Sequence, residues 1–137
     1  MTCGTILYDP RFQFRDGAII DKLIIVIGEL GGDYLALITT TNEKGRSVTP
    51  GCNPNDRFHN YFIPAKVEWF NKNTWVELDE VHELDGRIYS QKKSDGAVQY
   101  KATLAVSLMK KILSCALESQ DIDLYYLDFI KRWHDAL

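Results

Sequence analysis

The chain has 137 residues, of which 45% are hydrophobic and 26% charged, and its formal net charge at pH 7 is −3. These values are typical of one folded domain and exclude a disordered tail, a coiled coil and a protein that binds nucleic acid through bulk positive charge, although local basic patches are compatible with them. The longest apolar run, Leu23 to Ile27, is much shorter than the roughly 20 residues of a membrane-spanning helix, and no signal peptide is evident. We therefore expect a single domain, residues 1–137, in the cytoplasm.

The first half of the chain is rich in β-strand signals. Residues Thr5 to Tyr8 are β-prone, and Pro10 predicts the end of this strand because proline lacks a backbone donor. A loop or hairpin tip with the turn pair Asp16-Gly17 follows. The β-branched run Leu23–Ile27 is typical of a strand buried on both faces, so we predict it at the centre of the sheet. A glycine-rich turn then leads into a strand from Tyr34 to Thr41.

The middle of the chain alternates breakers and short strands. Proline, glycine and asparagine pairs crowd the stretch from Asn42 to Asn60, which predicts the longest loop of the domain. Three further strands are expected, at Tyr61–Ile63, Val67–Phe70 and Thr74–Leu78. Residues 76–85 carry five acidic residues and no basic one, so this segment should face water or a basic partner. Short strands at close spacing favour a barrel or a sandwich.

The hydrophobic period changes after Gly86. Apolar residues recur at helical spacing between Leu104 and Leu117. A second stripe runs from Ile122 to Leu137, with acids at its start and bases near its end, as the helix dipole favours. The predicted fold class is therefore mainly β (α+β), with a small β-barrel in residues 1–88 and a C-terminal extension of two helices packed on it in residues 97–137.

Three cysteines are present, Cys3, Cys52 and Cys115, and their wide spacing fits neither a disulfide framework nor a paired zinc motif. We interpret them as free thiols and expect neither a metal nor a cofactor. Cys52 with His59 would form a thiol nucleophile and its base, but no third residue that would orient the pair is evident.

Four segments occur in a characteristic order: a glycine-led strand, an aromatic and basic loop, a buried strand entered by a cation, and a strand ending in threonines. They are Gly4–Tyr8, Arg11–Arg15, Lys22–Ile27 and Ile38–Thr40. In this order the chain resembles the PemK/MazF toxin family, and Phe62–Pro64 and Thr74–Leu78 look like the remaining barrel strands. The resemblance covers roughly residues 4 to 85.

The resemblance implies an SH3-like barrel, metal-free cleavage of single-stranded RNA, inhibition by a paired antitoxin, and a homodimer. It also points to Thr39 as the counterpart of the family's active hydroxyl, and to Lys22 at the place where the family's second strand carries arginine. Arginine grips two phosphate oxygens with a planar fork, whereas lysine is a point charge. The substitution therefore predicts weakened, altered or absent catalysis.

Cleavage of RNA by its own 2′-hydroxyl requires that one proton be removed, that another be donated, and that the added negative charge be stabilised. We assign the catalytic roles to Lys22, Thr39 and His59. Lys22 stabilises the phosphate, Thr39 hydrogen-bonds to it, and His59, in the long loop, is the base. Structural readings stay open for all three: a solvated lysine beside an aggregation-prone strand, an ordinary strand threonine and an exposed histidine.

The segment Arg11–Arg15 alternates cations with aromatic rings, a pattern that stacks unpaired bases while neutralising phosphates. In the alternative, Phe12 and Phe14 point into the core from a continuing strand. We assign RNA binding to six residues of this segment and of the long loop: Arg11, Phe12, Phe14, Arg15, Arg46 and Arg57.

The leading functional hypothesis is a PemK/MazF-like toxin endoribonuclease that acts on single-stranded RNA. One alternative is a non-catalytic module of the same fold that binds nucleic acid or protein, which Lys22 favours. Another is a protein-interaction module built on the aromatic face of the last helix, although the ordinary role of such side chains, which we favour, is to cover an open side of the barrel. They are Tyr125, Tyr126, Phe129 and Trp133.

Overall fold

The computed structural model describes residues 1–137 and contains eight strands and three helices. The strands are β1 (Thr5–Gln13), β2 (Ile19–Leu30), β3 (Asp33–Thr40), β4 (Gly51–Asn53), β5 (Asn60–Ile63), β6 (Thr74–Glu77), β7 (His82–Leu84) and β8 (Gln99–Thr103). The helices are α1 (Gly86–Asp95), α2 (Val106–Ala116) and α3 (Leu124–Ala136). The strands form one mainly antiparallel sheet in the order β4-β5-β6-β3-β2-β1-β8, with β7 paired to β3, and this sheet is not closed. The predicted class, α+β with a dominant sheet, is confirmed, whereas the predicted small β-barrel is not, because the sheet is open.

Strand β2 lies inside the sheet, between β1 and β3, and Ile24 to Ile27 are fully buried. Successive side chains of a strand point to opposite faces. Ile25 and Ile27 therefore pack into a large core shared with α2 and α3, whereas Ile24 and Val26 pack into a smaller core that includes Tyr89 of α1. The prediction of an interior strand buried on both faces is confirmed.

Strand β1 continues to Gln13, so the predicted end at Pro10 is wrong. The register with β2 is interrupted between Asp9 and Phe12. Such a bulge leaves a position that needs no backbone donor, which is how a strand accommodates proline. The hairpin with β2 closes where the Phe14 amide donates to the Ala18 carbonyl at 2.8 Å. Part of the predicted aromatic and basic loop is therefore strand.

The predicted strand at Val67–Phe70 is also absent, because these residues form turns between β5 and β6. Lys66 has a φ of 65°, and its amide donates to the Phe70 carbonyl at 2.9 Å. Val67 and Trp69 are 66% and 42% exposed, so these two apolar side chains do not form the buried face of a strand.

The two C-terminal helices are confirmed as α2 and α3, but the chain before them differs from the prediction. Residues 97–137 also contain β8, which pairs with β1, and α1 precedes it. The Asp85 carboxylate caps α1 by accepting from the Ile88 amide at 2.9 Å, and Gly96 ends it with a φ of 82°. The sheet therefore includes a strand from the segment predicted to be wholly helical. None of the three helices combines the length and the apolarity that crossing a membrane would require.

Helix α3 packs across β2 through the ring of Trp133, which lies directly over Gly28. A Cβ atom on Gly28 would be 2.4 Å from this ring, so only glycine permits the close approach. Tyr126 and Trp133 of α3 thus pack against the core, as the packing alternative predicted for this face, while Tyr125 remains 55% exposed.

The interpretation of all three cysteines as free thiols is wrong for two of them. Cys52 of β4 and Cys115 of α2 form a disulfide between positions 63 residues apart. The pairing depends on the docking of α2 against β4, which the spacing of cysteines does not reveal. Cys3 is free, and burial raises the pKa of its thiol to about 11, so it stays protonated at neutral pH.

Candidate functional site

A groove of about 860 Å³ opens where the start of β2 lies beside the end of β3. The hydroxyl residues Thr39–Thr41 line it. Five cations also line it: Lys22, Lys44, Arg46, Lys72 and Lys101. Four acids share its walls: Asp21, Glu77, Asp79 and Glu80. We call this feature the Lys22 groove.

The structure brings Lys22 and Thr39 together, as the sequence predicted. The Lys22 ammonium donates to the main-chain carbonyl of Thr39 at 3.4 Å. The Thr39 hydroxyl donates to the carbonyl of Leu23 at 2.8 Å, and the residue is only 5% exposed. Because this hydroxyl already has an acceptor, the side chain of Thr39 fixes the β2–β3 pairing, while Lys22 is the polar group with spare donors.

His59 does not join this pair, because it lies outside the Lys22 groove and is buried at the start of β5. Its Nε2 atom is 3.3 Å from the Cys115 sulfur and 3.9 Å from the Cys52 sulfur. The predicted convergence of Lys22, Thr39 and His59 is therefore not found. The long loop leads His59 towards α2 and away from β2.

The histidine that lines the groove is His82 of β7. It is 7% exposed, its Nε2 has no hydrogen-bond partner, and its ring contacts Phe12 and Phe14 with centroids 5.4 and 6.3 Å away. Burial lowers the pKa of His82, against the attraction of Glu80, so the ring is neutral at pH 7. Sequence reasoning missed this residue because it lies within the acidic segment.

A buried ion pair forms one wall of the groove. Arg46 donates to the Glu77 carboxylate at 2.9 Å and to the Asn42 carbonyl at 3.0 Å. Burial raises the pKa of Glu77, and the attraction of Arg46 opposes this without cancelling it. Burial likewise raises the pKa of Asp79. Both terminal nitrogens of the Arg46 guanidinium are thus occupied by the protein itself, while its buried Nε has no partner.

The other residues predicted to bind RNA are dispersed. Phe12 is 2% exposed and part of the core, so it cannot stack on a base. Phe14 is half-buried and borders the groove, whereas Arg11 lies outside it. Arg15 is exposed and 3.5 Å from Glu80, and Arg57 is exposed over the Phe58 ring. Of the six predicted residues, only Phe14 and Arg46 line the groove.

Two aromatic rings that the sequence analysis did not select line the same groove. Trp69 is 42% exposed, and Tyr8 is half-buried. The Lys101 ammonium lies 5.8 Å from the Tyr8 ring centroid. Flat rings beside cations are what sequence-tolerant binding of unpaired bases requires. The sequence analysis overlooked Trp69 because it predicts Val67–Phe70 as a strand, whereas the ring lies on an exposed turn.

A second group of potential ligands surrounds the disulfide. The ligand atoms of Cys52, His59, Cys115 and Glu118 all lie within 4.8 Å of one another. We call these four residues the sulfur cluster. They are separate from the Lys22 groove, and no local sequence pattern joins Cys115 and Glu118 to His59.

A comparison of the chain with models of known protein families found no match. A search of curated proteins also found no significant match.

Proposed function

We propose that the chain is a PemK/MazF-like protein that binds single-stranded RNA in the Lys22 groove and cleaves it without a metal. The observation that carries the proposal is the contact of Lys22 with Thr39 inside a groove. These two residues are the ones that the resemblance singles out at the start of the second strand and the end of the third.

The lining of the groove supports a polyanion with unpaired bases as the ligand. Lys44, Lys72 and Lys101 are exposed cations along it, in addition to Lys22. Cations at intervals suit a phosphate backbone, and exposed aromatic rings such as Trp69 suit stacked bases. The acidic residues that share the groove with these cations would repel phosphates, so the RNA backbone should contact the lysines.

For cleavage, Lys22 stabilises the charge that develops on the phosphate while the 2′-oxygen bonds to phosphorus and the P–O5′ bond breaks. The leaving 5′-oxygen takes its proton from water, because the groove is open to solvent. The base that removes the 2′-hydroxyl proton is Asp79 in this proposal, in place of His59. Burial raises the pKa of Asp79, which makes it a stronger base than a surface carboxylate. Glu77 is tied to Arg46, and the free Nε2 of His82 is enclosed by protein, so neither is as accessible.

A second candidate is a non-catalytic module of the same fold that binds RNA or a protein. It is favoured by the Thr39 hydroxyl, which is committed to the Leu23 carbonyl, and by a lysine where the family has arginine. An antitoxin-like partner and a homodimer belong to both versions of the proposal, and light scattering of the purified chain tests the dimer.

The test uses a fluorescent single-stranded RNA of mixed sequence in buffer with a metal chelator. Binding is followed by anisotropy at several salt concentrations, and products by denaturing gel. We expect the wild type to bind and to produce fragments with cyclic phosphate ends. Lys22→Ala should reduce the slope of log affinity against log salt by about 1, because one phosphate contact is lost.

Asp79→Asn should bind as the wild type does but yield no fragments. Lys131→Ala is the matched control, since Lys131 is an exposed cation of α3 outside the groove. Binding without fragments by the wild type would select the non-catalytic candidate. Absence of RNA binding, with Lys22→Ala indistinguishable from the wild type, would overturn the RNA-binding proposal.

A further inference from the structure

We propose that the sulfur cluster is a zinc site in the reduced protein, with Cys52, His59, Cys115 and Glu118 as its four ligands. The proposal is independent of the Lys22 groove and of RNA, because it concerns a different part of the molecule.

The fold brings two pairs of ligands to one point. Cys52 lies in β4 and His59 directly precedes β5, and these strands are paired through Cys52 opposite Tyr61 and Asn53 opposite Asn60. Cys115 lies in the last turn of α2, and Glu118 follows it in a turn closed by its amide to the Cys115 carbonyl at 3.1 Å. One pair thus comes from the sheet and the other from the helix end that packs on it.

Three of the six distances between ligand atoms lie close to those of a tetrahedral zinc site. With Zn–S bonds of about 2.3 Å and Zn–N or Zn–O bonds of about 2.0–2.2 Å, neighbouring ligand atoms lie roughly 3.3–3.8 Å apart. His59 Nε2 is 3.3 Å from the Cys115 sulfur and 3.9 Å from the Cys52 sulfur. The Glu118 carboxylate is 3.2 Å from the Cys52 sulfur. The two sulfurs, which are bonded to each other, must separate, and all four ligand atoms already lie within 4.8 Å of one another.

Burial of the cluster fits a bound ion with one route of entry. His59 and Cys115 are 4% and 1% exposed, whereas Glu118 is exposed and Cys52 is half-buried. A surface pocket of about 550 Å³ leads to the cluster, and His134 is also in its wall. An ion would therefore meet Glu118 first and be enclosed by the other three ligands.

The charges around the cluster also suit a divalent cation. Two thiolates and one carboxylate carry three negative charges, which a Zn²⁺ ion reduces to one. Lys110 and Lys111 line the pocket and offset the remainder. The C-terminus of α2 carries partial negative charge and has no basic residue in its last turn, so a cation beside Cys115 is further stabilised.

The change of state is a balanced thiol–disulfide exchange. Two equivalents of a small thiol reduce the Cys52–Cys115 bond, giving two protein thiols and one small-molecule disulfide. Zinc then binds both sulfurs as thiolates, and two protons are released to solvent. Reoxidation by a disulfide of the same class reverses the sequence and expels the ion.

The test titrates cobalt(II) into the full chain, with and without prior reduction by a phosphine, and follows the absorption spectrum. Cobalt reports tetrahedral coordination by its visible bands and thiolate ligands by a charge-transfer band. The reduced wild type should bind one equivalent with both signatures, and zinc should displace it. The oxidised protein should show neither signature. Circular dichroism of each sample confirms that it is folded.

Four variants decide which residues are ligands. Cys115→Ser should lose the tetrahedral spectrum, and Glu118→Gln, a change at an exposed side chain, should weaken cobalt affinity at least tenfold while leaving the fold intact. Two matched controls should behave as the wild type: Cys3→Ser, the free thiol outside the cluster, and His134→Gln, a histidine of the same pocket.

Failure of the folded, reduced wild type to bind cobalt would overturn the proposal. Unchanged binding by Glu118→Gln would remove Glu118 from it, and equal loss in Cys3→Ser or His134→Gln would show that the ligands lie elsewhere.

Discussion

Arg46 donates to the carboxylate of Glu77 at 2.9 Å, and their side chains are only 8% and 17% exposed. Arg46 lies in the loop after β3, and Glu77 ends β6, so the pair fastens this loop to the sheet beside the Lys22 groove. Trp75 assists by donating to the Ser47 carbonyl at 2.8 Å. The loop that carries Arg46, beside the Lys22 groove, is therefore held to the sheet by a buried ion pair.

Removing one partner of this pair should be costly. Arg46→Met leaves the Glu77 carboxylate buried without its cation, and the expected loss in the free energy of unfolding is about 3–5 kcal/mol. Urea denaturation measures it. In the double variant Arg46→Met/Glu77→Leu most of this loss should be recovered, because no uncompensated charge remains.

Arg15→Met is the control for this prediction, since the pair of Arg15 with Glu80 is exposed and worth at most about 1 kcal/mol. If the double variant is as unstable as Arg46→Met alone, the loss comes from the packing of the Arg46 side chain and not from an uncompensated charge on Glu77.

His82 predicts a loss of stability in mild acid. Burial lowers the pKa of His82 in the folded state below its unfolded value of about 6.5. The unfolded chain therefore binds the proton more readily, so the stabilising contribution is complete above about pH 6.5 and is lost as the pH falls towards the folded pKa. Between pH 7.5 and 5.5 the free energy of unfolding should decline, by at most about 1.4 kcal/mol per pH unit from this group.

Asp79 and Glu77 act in the opposite sense, because burial raises their pKa values and protonation in acid relieves the cost of burying their charge. The measurement is therefore a difference, with urea denaturation of the wild type and of His82→Gln at each pH. The wild type should lose more stability than the variant as the pH falls. Equal slopes for the wild type and His82→Gln would contradict the assignment.

The elements that sequence reasoning located correctly are those with strong local patterns. The run Leu23–Ile27 has one interpretation as a strand, and the stripes of α2 and α3 repeat at helical spacing over three turns or more. Pro10 misled the prediction because a bulge is a property of the pairing between strands, which the sequence of one strand does not contain. Helix α1 had local signals, Asp85 and Gly96 at its ends, but no apolar stripe to support them.

The site was less predictable, because its residues meet only through tertiary packing. Lys22 and Thr39 could be paired since they belong to successive antiparallel strands. The sulfur cluster contains two short spacings that are visible in the sequence, Cys52 to His59 and Cys115 to Glu118. Nothing local indicates that these pairs meet, because 66 residues separate Cys52 from Glu118 and the contact requires α2 to dock against β4.

The contact of Trp133 with Gly28 predicts how α3 is held on the sheet. Gly28→Ala would place a methyl group 2.4 Å from the ring, so Trp133 must move. The expected loss in the free energy of unfolding is about 1–3 kcal/mol, typical of overpacking. Denaturation curves measure the loss, and tryptophan fluorescence should shift as the ring becomes more exposed.

A double-mutant cycle isolates this contact. In a Trp133→Leu background the smaller side chain leaves room for the methyl group, so Gly28→Ala should cost less there than in the wild type. The same cost in both backgrounds would mean that the alanine acts through β2 itself and not through α3.

Reduction breaks the disulfide but is required for the proposed zinc site, so stability measurements distinguish the two states. The Cys52–Cys115 bond links positions 63 residues apart, and closing such a loop restricts the unfolded chain, typically contributing about 2–4 kcal/mol. Reduction in the presence of a chelator should therefore lower the midpoint of thermal unfolding. Addition of zinc to the reduced protein should raise the midpoint again, because an ion that binds only the folded chain stabilises it by mass action.

Cys3→Ser should reproduce both effects, whereas Cys52→Ser/Cys115→Ser should be as unstable as the reduced protein and insensitive to zinc. A reduced wild type whose midpoint does not respond to zinc would leave the cluster with a structural disulfide alone.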